Sequence, residues 1–475
     1  MRSAARLATV LAAGFCVGLV ASPGARGAQP PRFGGQLRLV APAPVISLDP
    51  SEASSPFEAA LAAAIAETLY LIDDHDRPQP LLAAGMPVVE GNVATIRLRP
   101  GLRRHGGSPL AASGVASSLR RAARAPKVRW LFTGFNWQAG SPDIRATADD
   151  TIEVRLASSH VDVARIFAAA PLAIVTGRDP RRQPSGTGPF SARLSSTGDV
   201  RLQAFAFAAE GAPYLDAIHV LPPRSREDAL RAFELGQVDT SWHGESLYGG
   251  RPVRPVTSLT SPPAAPVLLV PNLASGALRA DGTWAALAAR VDRRRLERAG
   301  LFPATTLAAG IPPPRLPASR PPAGRVTITM PVVAGDAFAA RLAEAIAGVC
   351  DESGFTLRVE QLSPQRYASV ISSGAWNLRL VTVVPPVPGA TPLVGAALAA
   401  AGQGSLASRL SDGGSLADPS RGVEAAPALE ALVLGRRRET LSYRADLGGV
   451  RFGRTGILAL PSFAFARGAT GGDPP

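Results

Sequence analysis

The residues able to do chemistry are few and scattered. His75, His105, His160, His219 and His243 stand singly, with no H-E-x-x-H helix and no Cys/His cluster of zinc-binding spacing. No G-x-S-x-G turn presents a serine nucleophile. Asp73, Asp74 and Asp76 surround His75, yet the glycine and terminal glutamate of a calcium loop are missing, so the run reads as a solvated turn. Cys350 falls on the apolar face of a helix expected from Asp336 to Cys350, with Phe338, Leu342, Ile346 and Val349, and reads as buried packing. Nothing here points to an enzyme, and neither a cofactor nor a metal site is expected.

A chain without a reactive cluster acts by shape, which rests on its elements. At 475 residues and 46% hydrophobic content it has material for two or three domains and a sizeable core. Arg2 and Arg6 precede an apolar run from Leu7 to Ala21, and Ala25-Arg26-Gly27 offers the small residues of a cleavage site, so residues 1–27 read as a signal peptide for export to the periplasm. The run is shorter than the roughly 20 residues of a membrane span. Phe15 before Cys16 is unsuited to lipid attachment. Cleavage removes Cys16, leaving Cys350 without an intramolecular disulfide partner, and removes Arg2, Arg6 and Arg26, taking the formal charge from +13 to +10. Nearly all of that charge is arginine, with Lys127 the only lysine. The arginine clusters at 120–129, 293–295 and 436–438 read as solvated faces; no nucleic-acid motif accompanies them, and no nucleic-acid partner is expected.

Periodicity supplies the elements. Residues 36–40 alternate as a strand. Ser55, Pro56 and Glu58 open a helix over residues 56–70 whose Phe57, Leu61, Ile65 and Leu69 share a face. Strands are expected around Ile96 and Leu98 and around Ile152, Val154 and Leu156, with Ser113 capping a helix between them. From Val326 the pattern runs strand, helix, strand, helix from Ser363 to Gly374, then strand 376–384, which predicts a parallel sheet with its ligand near the carboxyl ends of the strands, just after Val384. A Pro-rich stretch, 311–322, reads as a surface excursion.

Three phrases are more specific: Gly186-Thr187-Gly188-Pro189-Phe190, then Gly211-Ala212-Pro213-Tyr214-Leu215-Asp216, then Ala232-Phe233-Glu234-Leu235-Gly236-Gln237-Val238-Asp239. The first reads as a rigid turn whose glycines permit positive φ or close backbone approach; the third reads as a helix, capped by Ser225 and Asp228, that stops at Gly236. With Gly34-Gly35-Gln36-Leu37-Arg38-Leu39, Leu48-Asp49-Pro50 and Ile96-Arg97-Leu98-Arg99-Pro100-Gly101-Leu102, their order and spacing resemble the peptide/nickel class of extracellular solute-binding proteins, family 5, which feed ABC importers.

The resemblance implies an α/β, two-lobed periplasmic-binding-protein-like fold (class II, cluster C type) with an extra inserted domain. Lobe I would comprise residues 28–50, 186–262 and 427–467, with a last strand completing its sheet. The inserted domain would be 51–185, lobe II 263–426, and 468–475 a frayed tail. Two crossings near 262 and 427 would form the hinge. Ligand would meet Ser47, Leu48, Trp242, His243, Val384 and Pro385, although Trp242 reads equally well as packing between lobes. Many peptide-binding relatives place an Asp after the strand equivalent to 376–384; here Val381-Thr382-Val383-Val384-Pro385-Pro386-Val387-Pro388 carries none, and no acid follows until Asp412. The expected protein is a monomeric periplasmic receptor for a peptide-like or apolar small solute, partnered by an ABC permease complex in the inner membrane. The alternatives are a stand-alone sensor or carrier of the same fold, or an exported hydrolase.

Overall fold

The structure, a computed structural model, describes residues 31–466 apart from 178, 245, 248–254, 263–264, 275, 280–281, 292, 300, 303–310, 312–323, 352–353 and 412–415. The expected signal peptide, nearly all of the Pro-rich stretch, Asp412 and the 468–475 tail lie outside the described residues.

One lobe is organised by strand Gln36–Val40, in which Leu37 and Leu39 are buried and Arg38 is not. It pairs in parallel with Ala217–Leu221, which continues antiparallel through Val200–Ala204 to Phe190–Leu194. Leu37, Leu39, Leu61, Phe190, Leu202 and Phe463 share its core. Helix Pro56–Ile65 packs there, its Ser55 side chain accepting the Glu58 amide. It ends five residues earlier than the periodicity predicts. The Ile65 carbonyl, instead of receiving a helical N–H, accepts the Gly188 amide at 3.0 Å, and Tyr70–Ile72 becomes a strand paired with Pro78–Pro80.

The three phrases converge on this strand. A Cβ at Gly186 would lie 2.2 Å from the Ile65 carbonyl oxygen and one at Gly188 would lie 2.6 Å from its carbon, so both glycines serve close backbone approach. His105 clamps the same turn: its Nδ1 accepts the Gly186 amide at 3.2 Å and its Nε2–H donates to the Gly188 carbonyl at 2.9 Å. Burial pushes the imidazole pKa down, consistent with this neutral tautomer. From the second phrase, Asp216 accepts the Gly35 amide at 3.0 Å, and the Tyr214 carbonyl accepts Gly34. From the third, helix Arg226–Glu234 is capped by Ser225 and followed by Gly236 at φ 73°. Asp239 then takes the Arg38 amide at 2.7 Å and the Arg444 guanidinium at 3.1 Å. Asp239 thus satisfies the free edge of Gln36–Val40. The last strand expected to complete that sheet goes elsewhere: Leu447–Gly448 and Ala464–Ala466 pair with each other, and Ala464–Ala466 also with Pro31–Arg32.

Residues between 69 and 174 build a second core around the antiparallel strands Val88–Glu90, Val93–Arg97, Thr151–Arg155 and Ile144–Ala146. Helix Ala112–Ala122 lies against it, with Ala111 rather than Ser113 at its N-cap and no side-chain cap. This core continues into helices Ala390–Ala400, Gly404–Ser411 and Pro419–Ala425. Gly395 makes the junction possible, since a Cβ there would lie 2.5 Å from the Trp130 ring, and Ser411 Oγ donates to the Trp130 carbonyl.

The other lobe holds Ala265–Pro271, buried at every position, between Leu378–Thr382 and Leu432–Arg437, both antiparallel to it. Val326–Val333 and Phe355–Leu362 pair in parallel through the crossover helix Ala337–Asp351, started by Asp336, which accepts the Ala339 amide; Cys350 is buried. Helix Pro364–Ser373 follows and ends at Gly374 with φ 73°. The parallel order stops there. Leu378 packs with Ile328 and Met330, but the hydrogen bonds to Val326–Val333 come from the preceding Asn377, whose Oδ1 accepts the Thr329 amide at 2.8 Å and whose N–H donates to the Thr329 carbonyl at 3.1 Å. The next amide on that side would be Pro331, which has no N–H, so a ladder cannot extend.

Candidate functional site

A cleft of about 1360 Å³ lies between the two lobes. One wall is formed by residues 43–74 with 121–131 and 168–181, the other by 331–342 with 367–400, and Val267 and Arg437 contribute at its base. No histidine or cysteine is among its described lining residues.

The first wall is charged and internally paired. Arg121 is bonded to Asp49, and Arg181 to Glu52 at 2.7 Å. Lys127 donates to the Ala53 carbonyl at 2.7 Å; burial pushes its pKa down to about 8, opposed by the carboxylates of Glu58, Glu52 and Asp49. Glu58 is consumed by the backbone, its oxygens accepting the amides of Ile46 and Ser54 at 2.6 and 2.7 Å. Glu67 is different. It lines the cleft at 6% exposure with both carboxyl oxygens lacking a hydrogen-bond partner. Burial raises its pKa to about 7, against the lowering pull of Thr187 and of the Ala209 and Glu210 amides, while the Glu210 charge adds to the rise.

The opposite wall is mostly apolar, with Asp336 the acid in its described lining. Val384, Pro386, Val387 and Pro388 leave the Leu378–Thr382 strand along the cleft, and Ala396, Ala399 and Ala400 extend it. Set into it are Tyr367 and Arg379. The Arg379 guanidinium stacks 4.9 Å from the Trp376 ring centroid and donates to the Ala400 carbonyl. Arg437 nearby is paired with Glu439 at 3.3 Å and stacked on Phe338.

Of the six residues expected to meet ligand, Val384 lines the cleft and Pro385 sits between two residues that do. Ser47 and Leu48 are buried behind Ile46 and Asp49, both of which line it; Ser47 Oγ accepts the Asp49 amide. Trp242 and His243 are outside the lining. The Trp242 indole donates to the Val40 carbonyl at 3.1 Å and meets Phe57 edge-on at 5.9 Å. His243 is half-buried, its pKa lowered first by burial and then by Arg226. Glu67, Lys127, Tyr367 and Arg379 escaped the sequence reading. The signals were a lone acid in the apolar run Ile65 to Leu71, the only lysine, and a cation inside an apolar strand. Asp73, by contrast, closes the turn before Pro78–Pro80, accepting the amides of His75 and Arg77.

Residues 77–325, just over half of the chain, match the model of bacterial extracellular solute-binding proteins, family 5, middle region. The fold agrees with it. OppA of Haemophilus influenzae, solved with the peptide RPPGFSPFR, superposes with a TM-score of 0.73 at 12% identity, over 92% of this chain and 100% of its own. NikA of Staphylococcus aureus, solved with Ni(L-His)2, gives 0.71 at 14% identity over 91% and 100%. DppA of Helicobacter pylori, solved with the peptide STSA, gives 0.71 at 15% over 92% and 99%. Comparison with curated proteins gives no match. The chain therefore belongs to the family 5 bacterial extracellular solute-binding proteins, and its fold is the two-lobed one of that family.

Proposed function

We propose that this protein is the periplasmic receptor of an ABC importer, closing its lobes on a small solute and presenting it to an inner-membrane permease without chemical change. The observation that carries the reading is the cleft, large enough for a peptide-sized ligand and walled by elements of both lobes. The absence of a reactive cluster from its described lining supports a non-catalytic role. The apparent signal peptide at 1–27 supports export, and relatives solved with peptides support a peptide-like ligand.

The ligand is one without a free amino group. The segment after Leu378–Thr382 offers no acid to receive an ammonium. Asp239 is committed to Arg38 and Arg444, and Glu245 lies outside the described residues. Glu67 lines the cleft but is only 6% exposed, and Asp336, also in the lining, is engaged by the Ala339 amide. A buried ammonium without a carboxylate loses several kcal/mol, on the order of a thousandfold in affinity. Mass spectrometry of whatever solute survives purification, followed by calorimetry with free and N-acetylated peptides, tests both statements. Micromolar binding of a peptide that vanishes on acetylation refutes the second.

A further inference from the structure

Residues 69–174 are tied to the lobe of Gln36–Val40. Arg121 pairs with Asp49, Lys127 donates to the Ala53 carbonyl at 2.7 Å, the Ile174 amide donates to the Glu67 carbonyl at 2.8 Å, and His105 clamps the Gly186–Gly188 turn. They therefore turn with that lobe. The chain crosses to the other lobe beside Ser261 and returns beside Glu439, where the Ser261 amide donates to the Glu439 carbonyl at 2.8 Å and the Glu439 amide to Ser261 Oγ at 2.9 Å.

A second connection between the lobes involves no crossing of the chain. The Trp130 ring lies against Gly395 in helix Ala390–Ala400, Ser411 Oγ donates to the Trp130 carbonyl, and the Ala170 amide donates to the Pro386 carbonyl at 2.8 Å. Trp130, Leu131, Val394, Leu398 and Leu410 are each at most 5% exposed and belong to one core. Surfaces of domains that part readily are more polar than this, and a large apolar contact restrains their motion.

Resting on the receptor reading above, we infer that this seam keeps the lobes shut without solute, so that the solute-free receptor is a closed protein and loading waits on the parting of Trp130 from helix Ala390–Ala400. Each large apolar side chain uncovered disfavours the open form by about tenfold or more, so parting Trp130, Leu398 and Leu410 leaves roughly one molecule in a thousand open. The apparent affinity for a solute is reduced by that fraction, because only the open form admits it. The solute adds contacts to a cleft that the seam has already closed.

The test needs no ligand. The mature protein is unfolded in guanidinium, dialysed, refolded, and shown by mass spectrometry to carry no small molecule. Its small-angle X-ray scattering is then expected to match the closed structure, and hydrogen exchange of the Ala170 amide to be slowed about a thousandfold, the reciprocal of the open fraction. Trp130→Ala should lower that protection about 100-fold, and Trp130→Ala combined with Leu410→Ala should expand the scattering profile toward an open form. Unchanged exchange in strands Gln36–Val40 and Ala265–Pro271 identifies variants whose lobes remain folded. Trp130 also lines the cleft, which is why neither readout depends on solute binding. A solute-free wild type that scatters as an open form, or whose Ala170 amide exchanges as fast as in Trp130→Ala, overturns the seam; so does a folded double variant that stays closed. Each of these results leaves the receptor reading intact, since that reading stands or falls on a solute recovered from the unrefolded protein.

Discussion

Glu67→Gln isolates the least comfortable group in the cleft wall. The carboxyl is 6% exposed, makes no hydrogen bond of good geometry although Thr187 and the Ala209 and Glu210 amides lie close by, and has its pKa raised from 4.5 to about 7, chiefly by burial. Between those values the folded protein holds a proton that the unfolded chain has released, so stability is greatest below pH 4.5 and falls as pH rises toward 7. The shift corresponds to about 3 kcal/mol of stability lost from this group by pH 8. Glutamine keeps the shape and cannot ionise, so the variant lacks this loss. Urea unfolding of both proteins at pH 4, 6 and 8 should therefore show their stability difference move by about 3 kcal/mol in favour of the variant, with most of the change between pH 4.5 and 7. A difference that stays constant across this range would mean that the carboxyl titrates normally in the fold, and the argument from burial would be refuted.

Lys127, as the only lysine, gives a clean readout: amine methylation followed by peptide mapping should show reactivity rising with a midpoint near pH 8, and a midpoint near 10.5 would show that burial does not depress it. Gly395→Val should destabilise the protein by about 1–3 kcal/mol, because the new side chain meets the Trp130 ring; unchanged urea midpoints would remove the packing argument. Trp242→Ala should cost about 2 kcal/mol through its lost contact with Phe57 and bond to Val40 while leaving ligand affinity unchanged; weakened binding in a folded variant would return Trp242 to the ligand site. N-terminal sequencing of exported protein should begin near Ala28, and a membrane-bound product retaining residues 1–27 would contradict the signal-peptide assignment.

What the sequence determined by itself was local. Caps at Ser55, Ser225 and Ser363, stops at Gly236 and Gly374, and the alternation of Leu37 with Leu39 and of Ile328 with Met330 depend on neighbours within a few residues, and the elements form there. The spaced phrases around 186, 211 and 232 identified the family because each is a backbone junction to Gln36–Val40 or Ile65, and a junction tolerates few residue types. Helix Pro56–Ile65 was overextended because its stop comes from Gly188, more than a hundred residues away. The pairing of Leu378–Thr382 likewise depended on Asn377 and Pro331, distant in sequence and meaningful only once adjacent. The cleft was least legible. Lys127, Glu67, Tyr367 and Arg379 belong to different elements and are unremarkable in composition. Whether a charge is paired or stranded is a property of its surroundings in space, and only the tertiary structure decided that Asp239 is satisfied while Glu67 and Arg379 are not.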